Sequence, residues 1–366
     1  MKYLFIITGI GLGHCTREDS IIREILDKDK DAKIHIATFG AAHDYFKKKF
    51  PLTLIHGIEF TDTKTKVNTT KVLLQNLKYI VNYFKNIKLI KDLISRFNPD
   101  IVIVDAQPEG VIAAKKLNKK CIFIYNLDLN YINYKKSFGL YNWFVINSIK
   151  SCYKKADKVI IPVLTQVPRI EDNIYYVNPI IREHPGRLAD EFTLMKELGF
   201  ERRPIIVTIG GSKFGLRLVK NIIQIAKHYD EQFVVFGVNL KPLSNNLICL
   251  PFKENFLEYL KISKAVISLA GHCTLSEILF YKRPALVYPI PNYLEQYQNS
   301  RLMKDYVMHG NLEDISLIET RNKLTEFLKK IDSYERKIRE VKYIVNGAFQ
   351  AANIIQQELT KQSDQE

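Results

Sequence analysis

Tyr3-Leu4-Phe5-Ile6-Ile7-Thr8-Gly9-Ile10-Gly11-Leu12-Gly13-His14-Cys15-Thr16-Arg17 decides the fold. A short apolar, β-rich run passes straight into closely spaced glycines, and a helical pattern follows. That is the strand, loop and helix of a parallel α/β unit. The same order returns at Ile205-Ile206-Val207-Thr208-Ile209-Gly210-Gly211-Ser212-Lys213-Phe214-Gly215. Outward from the first unit, strands are predicted at Tyr3 to Thr8, Lys33 to Thr38, Leu52 to Ile55, Ile101 to Val104, Cys121 to Ile124 and Val159 to Ile161. Outward from the second they are predicted at Ile205 to Ile209, Phe233 to Phe236, Leu247 to Leu250, Ala265 to Ser268 and Ala285 to Val287. Longer helical patterns separate them, so the predicted fold is α/β, with two doubly wound Rossmann-like domains facing a cleft. The segment Val177 to Gly186 carries two prolines and a glycine, which is linker chemistry, and places the boundary between domains 1–182 and 183–366. The last fifty or so residues read as helical, and Tyr334 to Thr360 is long enough to cross back over the first domain.

The chain has 366 residues, more than one ordinary core holds, and its composition, 46% hydrophobic and 25% charged, is that of a globular protein. No apolar run reaches the roughly 20 residues that cross a bilayer, and the apolar start is too short for a signal sequence. Five scattered cysteines (Cys15, Cys121, Cys152, Cys249, Cys273) include no CxxC pair, so a disulfide framework or structural zinc is not indicated, and a reducing cytoplasm is expected. The net charge of +15 is uneven. Residues 1–182 hold 29 basic against 17 acidic side chains, and residues 183–366 hold 25 against 22. A basic first half favours an anionic partner: a phospholipid surface at the inner face of a membrane, a phosphorylated or lipid-linked acceptor, or a nucleic acid. Within it, Lys64 to Arg96 holds eight basic residues and one acid, with Leu73, Leu77, Ile80, Phe84 and Ile87 at helical spacing. Such a helix either meets anionic lipid or packs on the sheet with its lysines in water.

Three places carry chemistry. The loop Gly9 to Arg17 is neither a Rossmann GxGxxG, since its third glycine comes early, nor a Walker loop, which needs Gly-Lys-Ser/Thr. His14 is its unusual residue. At the carboxyl end of a first strand an imidazole can take a proton from an attacking hydroxyl, or merely cap the helix. After the strand Ile101 to Val104 comes Asp105-Ala106-Gln107-Pro108-Glu109-Gly110. Strand ends gather around one crevice, so Asp105 or Glu109 can approach His14 as an orienting carboxylate, unless Asp105 only caps its helix. In the second half, Gly210, Gly211 and Ser212 can offer donors to a diphosphate, with Lys213 as a point charge. Downstream lie Ser268-Leu269-Ala270-Gly271-His272-Cys273-Thr274-Leu275-Ser276-Glu277 and Asn292-Tyr293-Leu294-Glu295-Gln296-Tyr297-Gln298-Asn299.

Ser268 to Asn299 resembles the donor-binding signature of family 28 and family 1 glycosyltransferases of the GT-B type, above all the MurG-like N-acetylglucosaminyltransferases and galactolipid synthases. Gly9 to Arg17 resembles their first glycine loop with its GHxxR ending, Gly210 to Gly215 their second, and Val177 to Arg182 their V-G-P-x-x-R segment, with Asn178 in place of the glycine. The resemblance implies an inverting, metal-independent transfer of a hexose or N-acetylhexosamine from a UDP-sugar, the donor lying mainly on the second domain. Glu277 would then hold the ribose hydroxyls, and Gly271, His272 and Thr274 would sit by the diphosphate. Glu295 and Gln296 would read the sugar, Phe252 would pack on the base, and Gly11, Gly13 and Arg17 would face the acceptor beside His14. No cofactor is implied, and no convincing DxD metal site is present, Asp27-Lys28-Asp29 reading as a solvated turn. His272 and Cys273 depart from the small residues usual there, and Thr61 to Arg96 aligns with nothing in the family.

A sugar-nucleotide hydrolase or epimerase shares this arrangement and cleaves the same bond; the Glu295-Gln296 pair favours transfer. A nucleic-acid-binding protein is the reading from another class, against which no known nucleic-acid module is found.

Overall fold

The computed structural model describes residues 1–58, 77–129, 139–210, 214–313, 315–343 and 345–363. The chain divides into two compact units between Arg182 and Glu183, and residues from Val345 onward return to the first.

The first unit is built on an eight-stranded sheet: β1 (Lys2–Ile7), β2 (Lys33–Thr38), β3 (Leu52–Leu54), β4 (Ile101–Asp105), β5 (Cys121–Ile124), β6 (Lys158–Pro162), β7 (Ile170–Glu171) and β8 (Ile174–Val177). The order is β3-β2-β1-β4-β5-β6-β8-β7, all pairs parallel except β7 with β8. Strands β4, β5 and β6 are buried along their whole length and β1 from Tyr3 onward, which is why they read as nearly continuous apolar runs. The order of strand addition reverses at the β1/β4 pair, so the loops after these parallel strands open a crevice there. Ile7 pairs with Asp105, and the Thr8 amide donates to the Asp105 carbonyl at 3.1 Å. The sequence reading therefore finds its two loops at neighbouring strand ends.

The second unit holds a six-stranded parallel sheet, β9 (Ile205–Thr208), β10 (Phe233–Phe236), β11 (Leu247–Leu250), β12 (Ala265–Leu269), β13 (Ala285–Tyr288) and β14 (Met308–His309), in the order β11-β10-β9-β12-β13-β14. Its reversal falls between β9 and β12, where Thr208 pairs with Ser268. This brings the loops at Gly210 and Gly271 to adjacent strand ends.

Three strands escape the sequence reading. β7 and β14 are two residues each, too short for any periodicity, and β8 (Ile174–Val177) runs up to the first residue of the segment read as linker. Residues Tyr334 to Thr360 do not form one helix either. A helix Leu317–Glu340 stops, and Gly347–Ser363 starts another. The break is dictated by the first unit. The Asn178 side-chain amide donates to the Val345 carbonyl at 2.9 Å, Asn346 bonds both the amide and the carbonyl of Ile181, and a Cβ on Gly347 would lie 1.9 Å from the Asn178 carbonyl oxygen. Asn178, where the resembled family carries glycine, is thus a working part of this clamp. Helix Gly347–Ser363 then packs along helix Gly13–Lys28, burying Ala348, Ala351, Ala352 and Ile355, and Glu358 pairs with the buried Lys158 at 3.1 Å.

The basic helix spans Leu77–Phe97. Leu73 lies outside the described residues. The buried face is Asn86, Ile87, Ile90, Leu93 and Ile94, and Phe84, expected in the apolar stripe, is 66% exposed beside Val81 at 57%. One half of the helix therefore packs as an ordinary domain helix, while the other presents apolar side chains to solvent. No helix among the described residues is long and apolar enough to cross a membrane.

Candidate active site

In the first unit the glycines shape the loop after β1. A Cβ on Gly9 would sit 1.8 Å from the Phe39 carbonyl oxygen, and Gly11 has φ +71°, so neither position accepts a side chain without rearrangement. The chain then enters helix Gly13–Lys28 with no side-chain cap, its first backbone bond running from Thr16 to Leu12 at 3.0 Å. The amides of Gly13, His14 and Cys15 precede that bond, at the electropositive end of the helix. Opposite them, Ala106 takes φ +51° immediately after Asp105, a left-handed conformation costly for alanine, and its amide bonds the Ile124 carbonyl at 3.2 Å.

Asp105 is fully buried, and its Oδ1 lies 2.8 Å from His14 Nδ1. The His14 side chain keeps 13% exposure, so the imidazole is the part of the pair that a substrate can reach. Arg17, expected at the acceptor, is buried instead. Its Nη2 donates to Asp105 Oδ1 at 2.6 Å, its Nε to Oδ2 at 3.2 Å, and Nη2 also stands 2.9 Å from His14 Nδ1. Burial would raise the Asp105 carboxyl, but the Arg17 guanidinium and then His14 outweigh it and hold the group well below the usual carboxylate range. The two contacts at His14 Nδ1 ask for opposite tautomers. A guanidinium only donates, so Nδ1 must be bare to accept from Arg17 and must carry the proton to donate to Asp105. With Nδ1–H on Asp105, Nε2 has a lone pair and can act as a base.

Glu109, the other carboxylate proposed for His14, turns elsewhere. It accepts from Asn86 at 3.2 Å and from Gln107 at 3.0 Å, and Asn86 in turn bonds the amide and the carbonyl of His56, both at 2.8 Å. Glu109 ties helix Leu77–Phe97 to the β4 loop, and Asp105 is the partner of His14. Cys15 stays a thiol: burial pushes it up to about 12, and its Sγ donates to the Leu12 carbonyl at 3.2 Å. Sequence reasoning missed Glu18, which is fully buried beside Arg17. No pattern in the sequence separates it from a solvated helix acid.

In the second unit Gly211, Ser212 and Lys213 lie outside the described residues. Gly210 is exposed with φ +60°, its amide 3.3 Å from Thr208 Oγ1. Gly271 caps helix His272–Phe280 with nothing within 4 Å of where a Cβ would stand, so packing does not demand the glycine, whereas close approach of a ligand would. Leu275 makes the first backbone bond of that helix, to Gly271 at 3.0 Å, and the amides of His272, Cys273 and Thr274 come before it. His272 is buried, with Nδ1 3.4 Å from Ser276 Oγ, and Thr274 is half-buried. Glu277 is buried at 4% exposure and Glu295 at 9%. Gln296 spends its carbonyl oxygen on the Ile290 amide at 3.0 Å, which leaves Nε2 as the group to meet a ligand. Asn299, fully buried, donates to the Ala270 carbonyl at 2.9 Å and so fixes the loop before the Gly271 cap. Phe252 is 53% exposed, an uncovered aromatic face at the end of β11. Among the described residues no group of three or more His, Cys, Asp or Glu is placed to hold a metal ion.

Two parallel α/β units, each with a glycine loop at its reversal point, are the architecture of GT-B glycosyltransferases, and comparison with known proteins places the chain among them. The chain belongs to glycosyl transferase family 1, whose model matches residues 1–332. It is 25% identical over 276 residues to an uncharacterized glycosyltransferase of Methanopyrus kandleri, covering 72% of this chain and 79% of that one. Over 276 residues, 72% of this chain and 73% of the relative, it is 27% identical to the UDP-N-acetylglucosamine–N-acetylmuramyl-(pentapeptide) pyrophosphoryl-undecaprenol N-acetylglucosamine transferase of Thermosipho melanesiensis. Among solved structures, MurG of Acinetobacter baumannii has the same fold, with a TM-score of 0.63 at 14% identity over 98% of this chain and 100% of that one.

Proposed function

We propose that this glycosyltransferase moves a hexose or N-acetylhexosamine from a UDP-sugar to an acceptor hydroxyl, with inversion at the sugar carbon C1 and without a metal ion. The observation that carries the reading is the pair of a reachable His14 and a fully buried Asp105 at 2.8 Å. His14 Nε2 takes the hydroxyl proton as the acceptor oxygen bonds to C1, and the C1–oxygen bond to the diphosphate breaks with its electron pair leaving on the diphosphate. Nδ1–H, held by Asp105, keeps the ring oriented and stabilises the imidazolium that forms.

On the second unit the amides at the start of helix His272–Phe280 and the Thr274 hydroxyl meet the diphosphate and take up its growing charge, the part a metal would otherwise play. Glu277 accepts the two ribose hydroxyls, Glu295 accepts from sugar hydroxyls while Gln296 Nε2 donates to one, and Phe252 stacks on the base. Gly11 and Gly13 leave room for the acceptor at His14. The Thermosipho relative, whose name states a UDP-sugar donor and a lipid-linked acceptor, supports a donor and an acceptor of these kinds. Peripheral contact with an anionic membrane surface is supported by Val81 and Phe84 exposed among Lys78, Lys85 and Lys88, and by Trp143 and Phe144, each 54% exposed.

Thermal unfolding against UDP, UDP-glucose, UDP-galactose, UDP-N-acetylglucosamine and the matching GDP and dTDP compounds tests the donor. Stabilisation by the uridine series, lost in Glu277→Ala, is the expected result; stabilisation by none of them refutes the reading.

A further inference from the structure

Glu18 is an acid with no room to be an anion. It is fully buried one residue past Arg17, its oxygens make no hydrogen bond of good geometry and lie close to Asp105 and Arg17, and Oε1 stands 3.6 Å from Arg17 Nε. That same Nε is already given to Asp105 at 3.2 Å, and the Nη2 of the same guanidinium lies between Asp105 and His14. Arg17 therefore stands among three groups that compete for it, and the charge on Glu18 decides how the competition falls.

We propose that Glu18 is a positioning residue for His14: uncharged, it leaves the Arg17 guanidinium to Asp105 and His14 Nδ1, and ionised, it draws the guanidinium to itself and leaves Nδ1–H to Asp105. The proton on Glu18 thus selects the His14 tautomer: with Glu18 ionised, Nδ1–H is held by Asp105 and Nε2 is the base of the transfer, so turnover rises as Glu18 ionises. Burial first, and the Asp105 charge second, push the Glu18 carboxyl well above the ordinary range, with Arg17 pulling the other way. The charges acting on Glu18 are Asp105 at the end of β4 and Arg17 on its own helix, with His14 beyond Asp105. Tyr45, on helix Gly40–Phe46, and Lys49, just past it, are directed to Asp19 instead, at 3.0 and 3.3 Å. Helix Gly347–Ser363 brings alanine and isoleucine side chains to the other side of the helix.

The proposal rests on His14 being the base, yet its test needs no turnover. In full-length protein labelled at the glutamate carboxyl carbons and the histidine ring nitrogens, both groups are followed by NMR from pH 6 to 11. The expected result is a Glu18 carbon still protonated at pH 7 that titrates above it, with the His14 nitrogens moving toward the Nδ1–H tautomer in the same step. In Glu18→Gln that movement is lost. Should this variant not fold, the wild-type titration decides alone. A Glu18 ionised at pH 7, no Glu18 step below pH 11, or a step that leaves the His14 nitrogens unmoved overturns the proposal. If the step is seen but no donor sugar is transferred, the activity reading fails while this coupling stands.

Discussion

Replacing Asp105 with asparagine tests the first-unit site with the smallest change in shape. Asp105 is fully buried and takes three contacts, from His14 at 2.8 Å and from Arg17 at 2.6 and 3.2 Å. An asparagine offers one acceptor oxygen and no charge, so the buried guanidinium loses its anion. Breaking such a pair costs about 3–5 kcal/mol. The lower end applies at neutral pH, because Glu18 stands 3.6 Å from Arg17 and, freed from the Asp105 charge, can ionise in its place. A loss of about 3 kcal/mol lowers the melting temperature of a domain this size by roughly 6–12 °C. The effect on rate is separate. The asparagine amide donates toward His14 Nδ1, which puts the ring proton on Nε2 and removes the base, so at a pH where Glu18 is ionised and the wild-type ring carries Nδ1–H, turnover falls by about 10²–10⁴-fold. The pH dependence fixes the sign. Asp105 is depressed in the folded state, so its stabilisation is full above the ordinary aspartate value of about 3.9 and is lost as pH falls below it. The gap between variant and wild type therefore closes in acid. Calorimetric unfolding from pH 3 to 8, with release of nucleoside diphosphate as the rate assay, measures both effects. A variant that keeps wild-type stability at pH 7, or turns over within threefold of wild type, refutes the reasoning.

Glu277→Ala should weaken UDP binding by roughly tenfold to a hundredfold through the lost ribose contact, as read by titration calorimetry; equal affinity removes Glu277 from the donor site. Gly347→Ala forces a Cβ to 1.9 Å from the Asn178 carbonyl and should cost about 1–3 kcal/mol in thermal unfolding, whereas an unchanged melting point contradicts the clamp. Glu18 is raised in the folded state and so binds a proton that the unfolded chain has released above about pH 4.3. Relative to Glu18→Gln, the wild type should lose about 1.4 kcal/mol of stability per pH unit from there until Glu18 ionises in the folded state. A difference that stays flat with pH shows that the acid is not held protonated.

What could be read from the sequence follows the physics of each element. β1, β4, β9 and β12 are buried on both faces, so their apolar runs were legible to within a residue or two, and the glycine loops after β1 and β9 marked where they end. Short edge strands such as β7 and β14 carry too few side chains to show a period. His14 and Asp105 were legible because both follow buried strands, and parallel topology gathers strand ends. Sequence alone could not choose Asp105 over Glu109, because that choice was made by Asn86 and Gln107, the first of them on a distant helix. Arg17 was placed at the acceptor by the family resemblance, which does not show burial; that burial depends on Asp105, 88 residues away.

The most direct test of the central claim is to incubate the purified protein with UDP-sugars radiolabelled in the sugar, with and without a lipid extract containing polar acceptors, and to measure UDP release and the distribution of label. The account predicts UDP release that depends on the extract, label carried into the lipid phase, and loss of both in His14→Ala. UDP release that is the same without any acceptor would make the protein a hydrolase and contradict it.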